Sequence, residues 1–237
     1  MTALLDVRDV EKRYGGLAAV DGVSFMLDAG EILGLIGPNG SGKTTLLSVL
    51  AGTQRRTRGT VLIEGTAIDG GPRAAVRSGI ARTFQTTRLF PTWTLRTTMR
   101  LARRECRRAD GEPGIDDIAI AEMLGLEPML DRILGSLTGA EQRLAMIASA
   151  LSTQPRVLLL DEPAVGMDTG EAAALAGAIG RVRAESRVGV VVVDHNMHFL
   201  MPLADSIVVM ASGKVIATGT PAEVRADEAV IASYLGS

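Results

Sequence analysis

Three continuous apolar runs along the chain predict buried strands of one parallel sheet. They are EILGLIG at 31–37, RVLLLDEP at 156–163 and RVGVVVVDH at 187–195. Strands covered on both faces have this unbroken pattern, whereas half-exposed strands alternate. A helix is predicted over 171–185, and it separates the last two runs at the spacing of a βαβ crossover. The pattern therefore predicts a doubly wound α/β core.

Alternating polar and apolar residues predict antiparallel strands elsewhere. Residues 3–28 alternate, with turns expected at Tyr14-Gly15-Gly16 and at Asp21-Gly22. They predict a small antiparallel sheet near the start of the chain. The segments 60–68 and 206–219 predict two further hairpins.

The middle of the chain changes to helical periodicity. Within 87–150, helices are predicted at 95–109, 115–124 and 139–152, separated by glycine-rich breaks. One more helix is predicted over 221–236. We expect the segment 87–150 to form a helical subdomain inserted into the α/β core.

The composition indicates a compact chain that needs no covalent cross-links. The 237 residues are 46% apolar, with 25 Lys and Arg against 27 Asp and Glu. A chain of this length buries roughly 70–75% of its unfolded surface, so the core is ample. The single cysteine, Cys106, has no intrachain partner, which favours a reducing compartment. A net charge of −2 and a low aromatic content of 3% predict no binding to nucleic acid.

The hydropathy of the chain predicts no membrane span. No apolar stretch approaches the roughly 18 residues that cross a bilayer, and the first residues lack the pattern of a signal peptide. We therefore expect a cytosolic location, and any work at a membrane to be done from outside the lipid.

A glycine-rich loop follows the first buried strand and leads directly into a helix. It fits the pattern G-x-x-x-x-G-K-[ST] with Gly37, Pro38, Asn39, Gly40, Ser41, Gly42, Lys43 and Thr44. Glycines let backbone N–H groups converge on a phosphate chain at a helix N-terminus, where the dipole favours negative charge. We expect Lys43 to bind the β- and γ-phosphates of a nucleotide and Thr44 to bind Mg²⁺. The alternative is an ordinary glycine turn.

Two carboxylates end the second buried strand, at the sheet edge where the glycine-rich loop also begins. Asp161 is placed to hold Mg²⁺ through its water shell. Glu162 is then expected to be the general base that polarises the water attacking the γ-phosphate. The alternative, a solvated turn at Asp161-Glu162-Pro163, leaves two like charges beside a phosphate site without a cation.

With these motifs in this order, the whole chain resembles the ATP-binding cassette (ABC) family of transport ATPases. The resemblance implies further site residues: Tyr14 in KRYGG as the aromatic that stacks on adenine, Thr45 as a nucleotide contact, Gln85 in RTFQ as the amide that contacts Mg²⁺ and water, Asp168 in GMD on the loop that touches the opposite subunit, and His195 as the switch histidine. Each also has a structural alternative. Asp168 has capping-box spacing to Glu171, for example, and its two roles are compatible.

Within the family, ARTFQTTRLF and the ending GTPAEVRADEAVIASYLG look most like the ATPase subunits of branched-chain amino acid importers, and related amide and urea importers share much of this pattern. The resemblance implies one ABC ATPase domain over 1–237, with a P-loop NTPase core and antiparallel β subdomain in 1–86 and 151–237 and the helical subdomain in 87–150.

The same resemblance implies partners. It places the chain on the cytoplasmic face of the inner membrane, bound to the transmembrane subunits of a permease and serving an extracytoplasmic solute-binding protein indirectly. It also implies a head-to-tail dimer with two MgATP at the interface. The second protomer is either another copy or a related second ATPase subunit.

The signature segment, residues 137–141, departs from the family pattern LSGGQ and is Leu-Thr-Gly-Ala-Glu here. Thr138 and Glu141 have capping-box spacing, so a helix is predicted to begin here with N–H groups that can face an anion. In the family this helix end covers the γ-phosphate held by the other subunit, a role that falls to Thr138 and Gly139. Glu141 puts a negative charge where the family has a neutral amide. We therefore expect weaker closure around ATP.

A helix from Leu95 would carry six arginines on one face: Arg96, Arg100, Arg103, Arg104, Arg107 and Arg108. A solvated face, a contact with anionic lipid or a membrane partner, and RNA binding are the alternatives. Phe90 and Trp93 precede this helix, where the family contacts the permease, and core packing explains Trp93 equally well.

The sequence thus predicts an ATP-hydrolysing subunit of a bacterial importer. One alternative is a non-hydrolysing nucleotide-binding regulator, which Ala140 and Glu141 suggest and which Glu162 and His195 argue against. Another is a non-transport ABC ATPase that acts on nucleic acid or ribosomes. Such proteins resemble tandem cassettes or carry coiled-coil or zinc insertions, and this chain has neither heptads nor a second cysteine.

Overall fold

Two β-sheets flanked by helices form the computed structural model, which describes residues 3–83, 89–105 and 114–235. The strands are β1 (Leu5–Tyr14), β2 (Leu17–Leu27), β3 (Ile32–Ile36), β4 (Arg58–Ile63), β5 (Thr66–Ala67), β6 (Ile80–Arg82), β7 (Val157–Asp161), β8 (Gly189–Val193), β9 (Ser206–Ala211) and β10 (Lys214–Gly219). The helices are α1 (Lys43–Leu50), α2 (Pro72–Arg77), α3 (Leu95–Glu105), α4 (Asp117–Leu124), α5 (Gly139–Ser152), α6 (Thr169–Ser186), α7 (Met197–Leu200), α8 (Pro221–Ala226) and α9 (Glu228–Leu235). Short 3-10 turns cover Glu127–Met129 and Leu134–Ser136.

The larger sheet has the strand order β10-β9-β3-β8-β7-β6. All of its pairs are parallel except β9 with β10, which is the predicted hairpin. The three continuous apolar runs form β3, β7 and β8, and every residue of these strands is buried. Because the strands are parallel, their carboxyl ends lie at one edge of the sheet. The glycine-rich loop and the predicted site residues Asp161, Glu162 and His195 are at or just after these strand ends, so they lie at the same edge.

The smaller sheet is antiparallel, with the order β2-β1-β4-β5. Its first hairpin turns at Gly15-Gly16, as predicted. The turn predicted at Asp21-Gly22 is wrong, because β2 continues through both residues and stays paired with β1 on either side. The pairing register shifts beside Gly22, whose φ is 71°. A β-bulge thus uses the residues that suggested a turn.

Helices α3, α4 and α5 confirm that helices form within each of the three predicted ranges 95–109, 115–124 and 139–152. Residues 106–109 of the first prediction, with Cys106, lie outside the described residues. The side chain of Asp116 caps α4, and Gly125 ends it in the left-handed conformation. Helix α2 follows a glycine pair and begins with Pro72, and helix α7 has four residues. The sequence pattern predicted neither, because each is too short to show a helical period.

The single helix predicted over 221–236 is wrong, because α8 and α9 are separate. The backbone of Asp227 is extended, with ψ at 120°, and the chain turns there. The Asp227 carboxylate accepts a hydrogen bond from the N–H of Val230 at 3.1 Å, which caps α9. Aspartate competes for backbone donors and so interrupts a helix where an apolar period continues.

The core lies on both faces of the parallel sheet. Alternate residues of β7 belong to opposite clusters: Leu158 and Leu160 pack with α3–α6, and Val157 and Leu159 pack with α1 and the antiparallel sheet. Each buried strand therefore joins the two halves of the core. Among the described residues, no helix is long and apolar enough to cross a membrane.

Candidate functional site

The glycine-rich loop runs from the carboxyl end of β3 to α1, and close packing dictates two of its glycines. Gly37 has φ 146°, and a Cβ there would overlap the carbonyl oxygen of Met210. Gly42 has φ 102°, and a Cβ there would overlap the carbonyl oxygen of Ala19. Glycine is required at both places for conformation and for space. The loop is therefore pressed against β2 and β9.

The turn between β9 and β10 fixes this loop from the side. The N–H of Gly213 donates to the Ser41 carbonyl at 3.0 Å, and the Gly213 carbonyl accepts from the N–H of Asp21 at 2.8 Å. One residue thus links the glycine-rich loop to β2. The local sequence gives no signal for this link, since it joins segments far apart in the chain.

Lys43 lies inside the loop that precedes it. Its Nζ donates to the carbonyl oxygens of Gly37 and Pro38, at 2.7 and 3.0 Å, and lies 3.3 Å from Ser41 Oγ. The residue is only 8% exposed, and burial lowers the pKa of its ammonium group. The carboxylates of Glu162 and Asp161 act in the opposite direction on that pKa. Thr44 is exposed and Thr45 half-buried.

Asp161 ends β7 and forms an ion pair with Arg82, the last residue of β6. The distance from Arg82 Nη2 to Asp161 Oδ2 is 2.8 Å, and the side chains are 8% and 4% exposed. Arg82 Nη1 also donates to Ser48 Oγ at 2.9 Å, and Ser48 Oγ donates to the Thr44 carbonyl at 2.7 Å. Arg82 therefore connects the carboxylate of Asp161 to α1. No sequence motif indicates this arginine.

Glu162 follows Asp161 with φ 47°, in the left-handed region that non-glycine residues rarely adopt. Its N–H donates to the Val193 carbonyl at 2.8 Å. Its carbonyl accepts from Arg143 Nη1 at 3.1 Å, and Arg143 Nη2 donates to the Val165 carbonyl at the same distance. Arg143 belongs to α5, and no sequence motif indicates it either.

His195 lies just beyond the end of β8, at the same sheet edge, and its side chain is 65% exposed. The neighbouring Asp194 is fully buried and accepts hydrogen bonds from the N–H groups of Ala164 and Asn196, at 3.0 and 2.9 Å. Asp194 therefore ties the segment after β7 to the segment after β8. An acidic residue directly before a strand-end histidine was the only sequence signal for it.

Both predicted capping boxes are confirmed. At the start of α5, the N–H of Thr138 donates to Glu141 Oε2 at 2.7 Å and the N–H of Glu141 donates to Thr138 Oγ1 at 3.2 Å. At the start of α6, Asp168 and Glu171 make the same pair of bonds. The N-cap role of Asp168 is thus observed, and its contact with another subunit stays a prediction.

Of the two remaining predicted nucleotide contacts, Tyr14 is among the described residues and Gln85 is not. Tyr14, at the end of β1, is 47% exposed, and the Lys12 ammonium lies 4.6 Å from its ring centroid. The Tyr14 ring is therefore partly open to solvent, and the Lys12 ammonium makes a cation–π contact with it. Gln85 lies outside the described residues.

The arginine-rich face of α3 is partly neutralised within the chain. Arg96 pairs with Asp131 at 2.7 Å, and this hydrogen bond lowers the pKa of the Asp131 carboxyl. Arg103 pairs with Asp117 at 2.7 Å. The two other described arginines are exposed, and Arg107 and Arg108 lie outside the described residues. Ahead of α3, the ring of Phe90 stacks on Trp93 with centroids 4.6 Å apart, and Phe90 is 57% exposed.

A glycine-rich loop between a buried strand and a helix, with a carboxylate at the end of another parallel strand of the same sheet, defines a P-loop nucleoside triphosphatase. A family model described as "ABC transporter" matches residues 20–165, more than half of the chain. The chain belongs to the ABC transporter family. It is an ATP-binding subunit of a transporter, and an ATPase. A second model, "Branched-chain amino acid ATP-binding cassette transporter", matches residues 214–237.

Known relatives and solved structures agree with this assignment. The chain is 34% identical to the high-affinity branched-chain amino acid transport ATP-binding protein BraF of Pseudomonas aeruginosa, and 35% identical to the LivG protein of the same description from Escherichia coli. Each alignment covers 98% of both proteins. A crystal structure of the ADP conformation of an ATP-binding cassette of an ABC transporter superposes with a TM-score of 0.87 and 28% identity, over 100% of both chains.

Proposed function

We propose that this subunit powers the import of branched-chain amino acids or related small polar solutes. The observation that carries the proposal is the similarity to BraF and LivG over 98% of the chain, together with the branched-chain family match at 214–237. The solute itself does not contact an ATPase subunit of this kind. The substrate class is therefore inferred from relatives and not from any pocket of this chain.

The glycine-rich loop is proposed to hold the triphosphate of ATP. The loop N–H groups and the start of α1 receive the phosphates, and Lys43 exchanges the three loop oxygens it now contacts for β- and γ-phosphate oxygens. Tyr14 offers its exposed ring to the adenine. Gly37 and Gly42 let this loop lie directly against β9 and β2, because a Cβ at either position would overlap a backbone carbonyl oxygen.

The donor set at the sheet edge fits Mg²⁺. A hydroxyl at Thr44 and a carboxylate at Asp161 are hard oxygen ligands, and Mg²⁺ beside phosphates uses one or two carboxylates and keeps several waters. Thr44 and Asp161, with Gln85, are proposed to hold the ion, which would neutralise phosphate charge there.

Glu162 is proposed to orient and deprotonate the attacking water. Hydrolysis of a phosphoanhydride depends on positioning and on charge stabilisation, so a carboxylate beside the γ-phosphate is suited to the task. His195 is proposed to contact the γ-phosphate from the end of the next strand. Both residues follow strands that pair directly, since Asp161 and Val193 are register partners.

The working assembly is proposed to be a head-to-tail dimer, of two copies or of this chain with a related ATPase. Thr138, Gly139 and Asp168 of one protomer then approach the nucleotide of the other. The dimer would sit on the cytoplasmic face of the inner membrane against the permease, with the segment around Gln85 and the exposed Phe90 ring on the contact surface. We also propose that residues 87–150 form a helical subdomain, separate from the α/β core formed by 1–86 and 151–237.

Uptake by the living cell tests the proposed substrate class. Deleting the gene for this chain should abolish uptake of radiolabelled leucine, isoleucine and valine at low external concentration, and leave ribose uptake unchanged. The wild-type gene should restore uptake, and a Glu162→Gln copy should not, because binding without hydrolysis cannot drive a cycle. Unchanged uptake of all three amino acids, or loss of ribose uptake alone, contradicts the proposed substrate class.

Glu141→Gln should strengthen ATP-driven dimerisation several-fold. The carboxylate of Glu141 lies against the Thr138 N–H, at a helix end proposed to face a phosphate. At about 10 Å and a dielectric near 20, the repulsion would be roughly 1–2 kcal/mol. Arg132 Nη1, 4.0 Å from Glu141 Oε1, offsets part of it. Glutamine keeps the capping box and removes the charge.

Light scattering of the Glu141→Gln protein with MgATP measures this effect. Glu223→Gln is the matched control, because Thr220 and Glu223 form the same box at the start of α8. The control should leave dimerisation unchanged. Equal or weaker dimerisation of Glu141→Gln would show that the acidic signature segment does not limit closure.

A further inference from the structure

Glu162 has both of its flanking peptide groups anchored, and a different element provides each anchor. The N–H before its Cα donates to Val193 of β8, and the carbonyl after it accepts from Arg143 of α5. Two fixed peptide planes determine the φ and ψ of a residue and so the direction of its Cα–Cβ bond. The guanidinium of Arg143 therefore helps to set where the Glu162 side chain points.

The carbonyl of Glu162 has particular need of such a donor. The next residue is Pro163, so this peptide group has no N–H and its carbonyl is the only group that can hold it. The N–H of Val165 also approaches this oxygen, at 3.3 Å, within the same loop. Arg143 thus anchors this carbonyl from outside the loop, and it holds a residue whose φ of 47° needs external support.

The second nitrogen of the same guanidinium extends the connection. Arg143 Nη2 donates to the Val165 carbonyl at 3.1 Å, three residues before Asp168 caps α6. Arg143 Nε is buried and lacks a hydrogen-bond partner among the described residues. A fold that only needed stability would favour an apolar residue over a guanidinium with one unsatisfied donor. The arginine is better explained by what its two terminal nitrogens hold.

We infer that Arg143 is a positioning residue, which ties the helix of the signature segment to the loop that carries Glu162. Arg143 lies one turn into α5, and the start of α5 is the end proposed to cover the partner's nucleotide. Movement of α5 on closure would then be transmitted to Glu162 in the chain's own site. This inference rests on the proposed function, because it requires a dimer that hydrolyses ATP.

Variants at Arg143 separate positioning from general packing. Arg143→Ala should lower kcat for ATP by at least about tenfold, with the KM for MgATP changed by less than about twofold. Arg143→Lys keeps the charge and reaches one carbonyl instead of two, so it should fold normally and still lose several-fold in kcat. In a Glu162→Gln background, Arg143→Ala should leave ATP-driven dimerisation unchanged, so that closure occurs without hydrolysis.

Arg181→Ala is the matched control. Arg181 of α6 also donates to a backbone carbonyl of the helical segment, from Nε to Met123 at 2.6 Å, and has no part in the Glu162 loop. The Arg181→Ala variant should lose about as much thermal stability as Arg143→Ala, and its kcat should stay near the wild-type value. Millimolar guanidinium ion should restore part of the rate to Arg143→Ala and none to Arg181→Ala.

Each outcome decides the inference. An equal loss of kcat in both alanine variants, a wild-type rate in Arg143→Lys, or a loss of dimerisation in step with kcat overturns it. If the wild-type chain fails to hydrolyse ATP, the proposed function fails and the inference fails with it. If the wild-type chain hydrolyses ATP, Glu162→Gln does not, and Arg143→Ala turns over normally, only the inference is lost.

Discussion

Glu162→Gln should reduce ATP turnover at least about 100-fold, because general-base catalysis by a positioned side chain contributes factors of this size. Glutamine has nearly the same shape, and the backbone anchors of residue 162 at Val193 and Arg143 do not involve the side chain. The fold and the nucleotide site should therefore persist. Binding of MgATP should remain within about threefold of wild type, since Lys43 and the loop N–H groups are unchanged.

Phosphate release and equilibrium binding of a fluorescent ATP analogue measure the two quantities side by side. Glu171→Gln is a suitable control, because it removes a carboxylate from the start of α6 while a glutamine preserves the capping box of that helix. Light scattering should show the Glu162→Gln protein accumulating as a dimer in MgATP. If wild type and Glu162→Gln turn over ATP at the same rate, Glu162 is not the general base of this chain.

The sheet edge that holds the site was predictable because its signals are local. A continuous apolar run identifies a doubly buried strand, and parallel strands place their carboxyl ends together. The runs ending at Gly37, Asp161 and His195 therefore had to converge. The capping boxes at Thr138 and Asp168 were predictable for the same reason, since four consecutive residues contain both bonding partners.

The arginines of the site could not be found in this way. Arg82 contacts a carboxylate 79 residues further along the chain, and Arg143 contacts carbonyls 19 and 22 residues away. These partners are brought together only when helices and strands pack. Arginine is frequent in this sequence, so its presence at any one position carries little information. From the sequence alone, neither Arg82 nor Arg143 could be distinguished from a surface arginine.

The ion-pair partners of the arginines on helix α3 could not be predicted from the sequence either. Its periodicity placed the arginines on one face, but the aspartates that neutralise Arg96 and Arg103 lie on separate segments. The positive charge available to a lipid or to RNA is therefore smaller than the sequence suggested. The errors at Asp21-Gly22 and at Asp227 have a related cause, because pairing and capping decide how turn-forming residues are used.

Arg82→Met should destabilise the folded chain by about 3–5 kcal/mol, the typical cost of breaking a buried ion pair by removing one partner. Arg82 and Asp161 are 8% and 4% exposed, so the carboxylate left behind would stay in a poorly solvated place. For a chain of this size, that loss corresponds to a fall of roughly 6–20 °C in Tm. Thermal unfolding at pH 7, followed by circular dichroism without nucleotide, measures it.

Two comparisons assign the loss to the buried pair. Arg183→Met breaks a half-exposed pair with Asp205 and should cost no more than about 1 kcal/mol. Adding Asp161→Asn to Arg82→Met should recover part of the stability, because the uncompensated charge is then removed. Should Arg82→Met prove as stable as Arg183→Met, the pair is not what holds Asp161 in place. If the double variant regains nothing, the loss comes from other contacts of Arg82, such as its hydrogen bond to Ser48 of α1, and not from the ion pair.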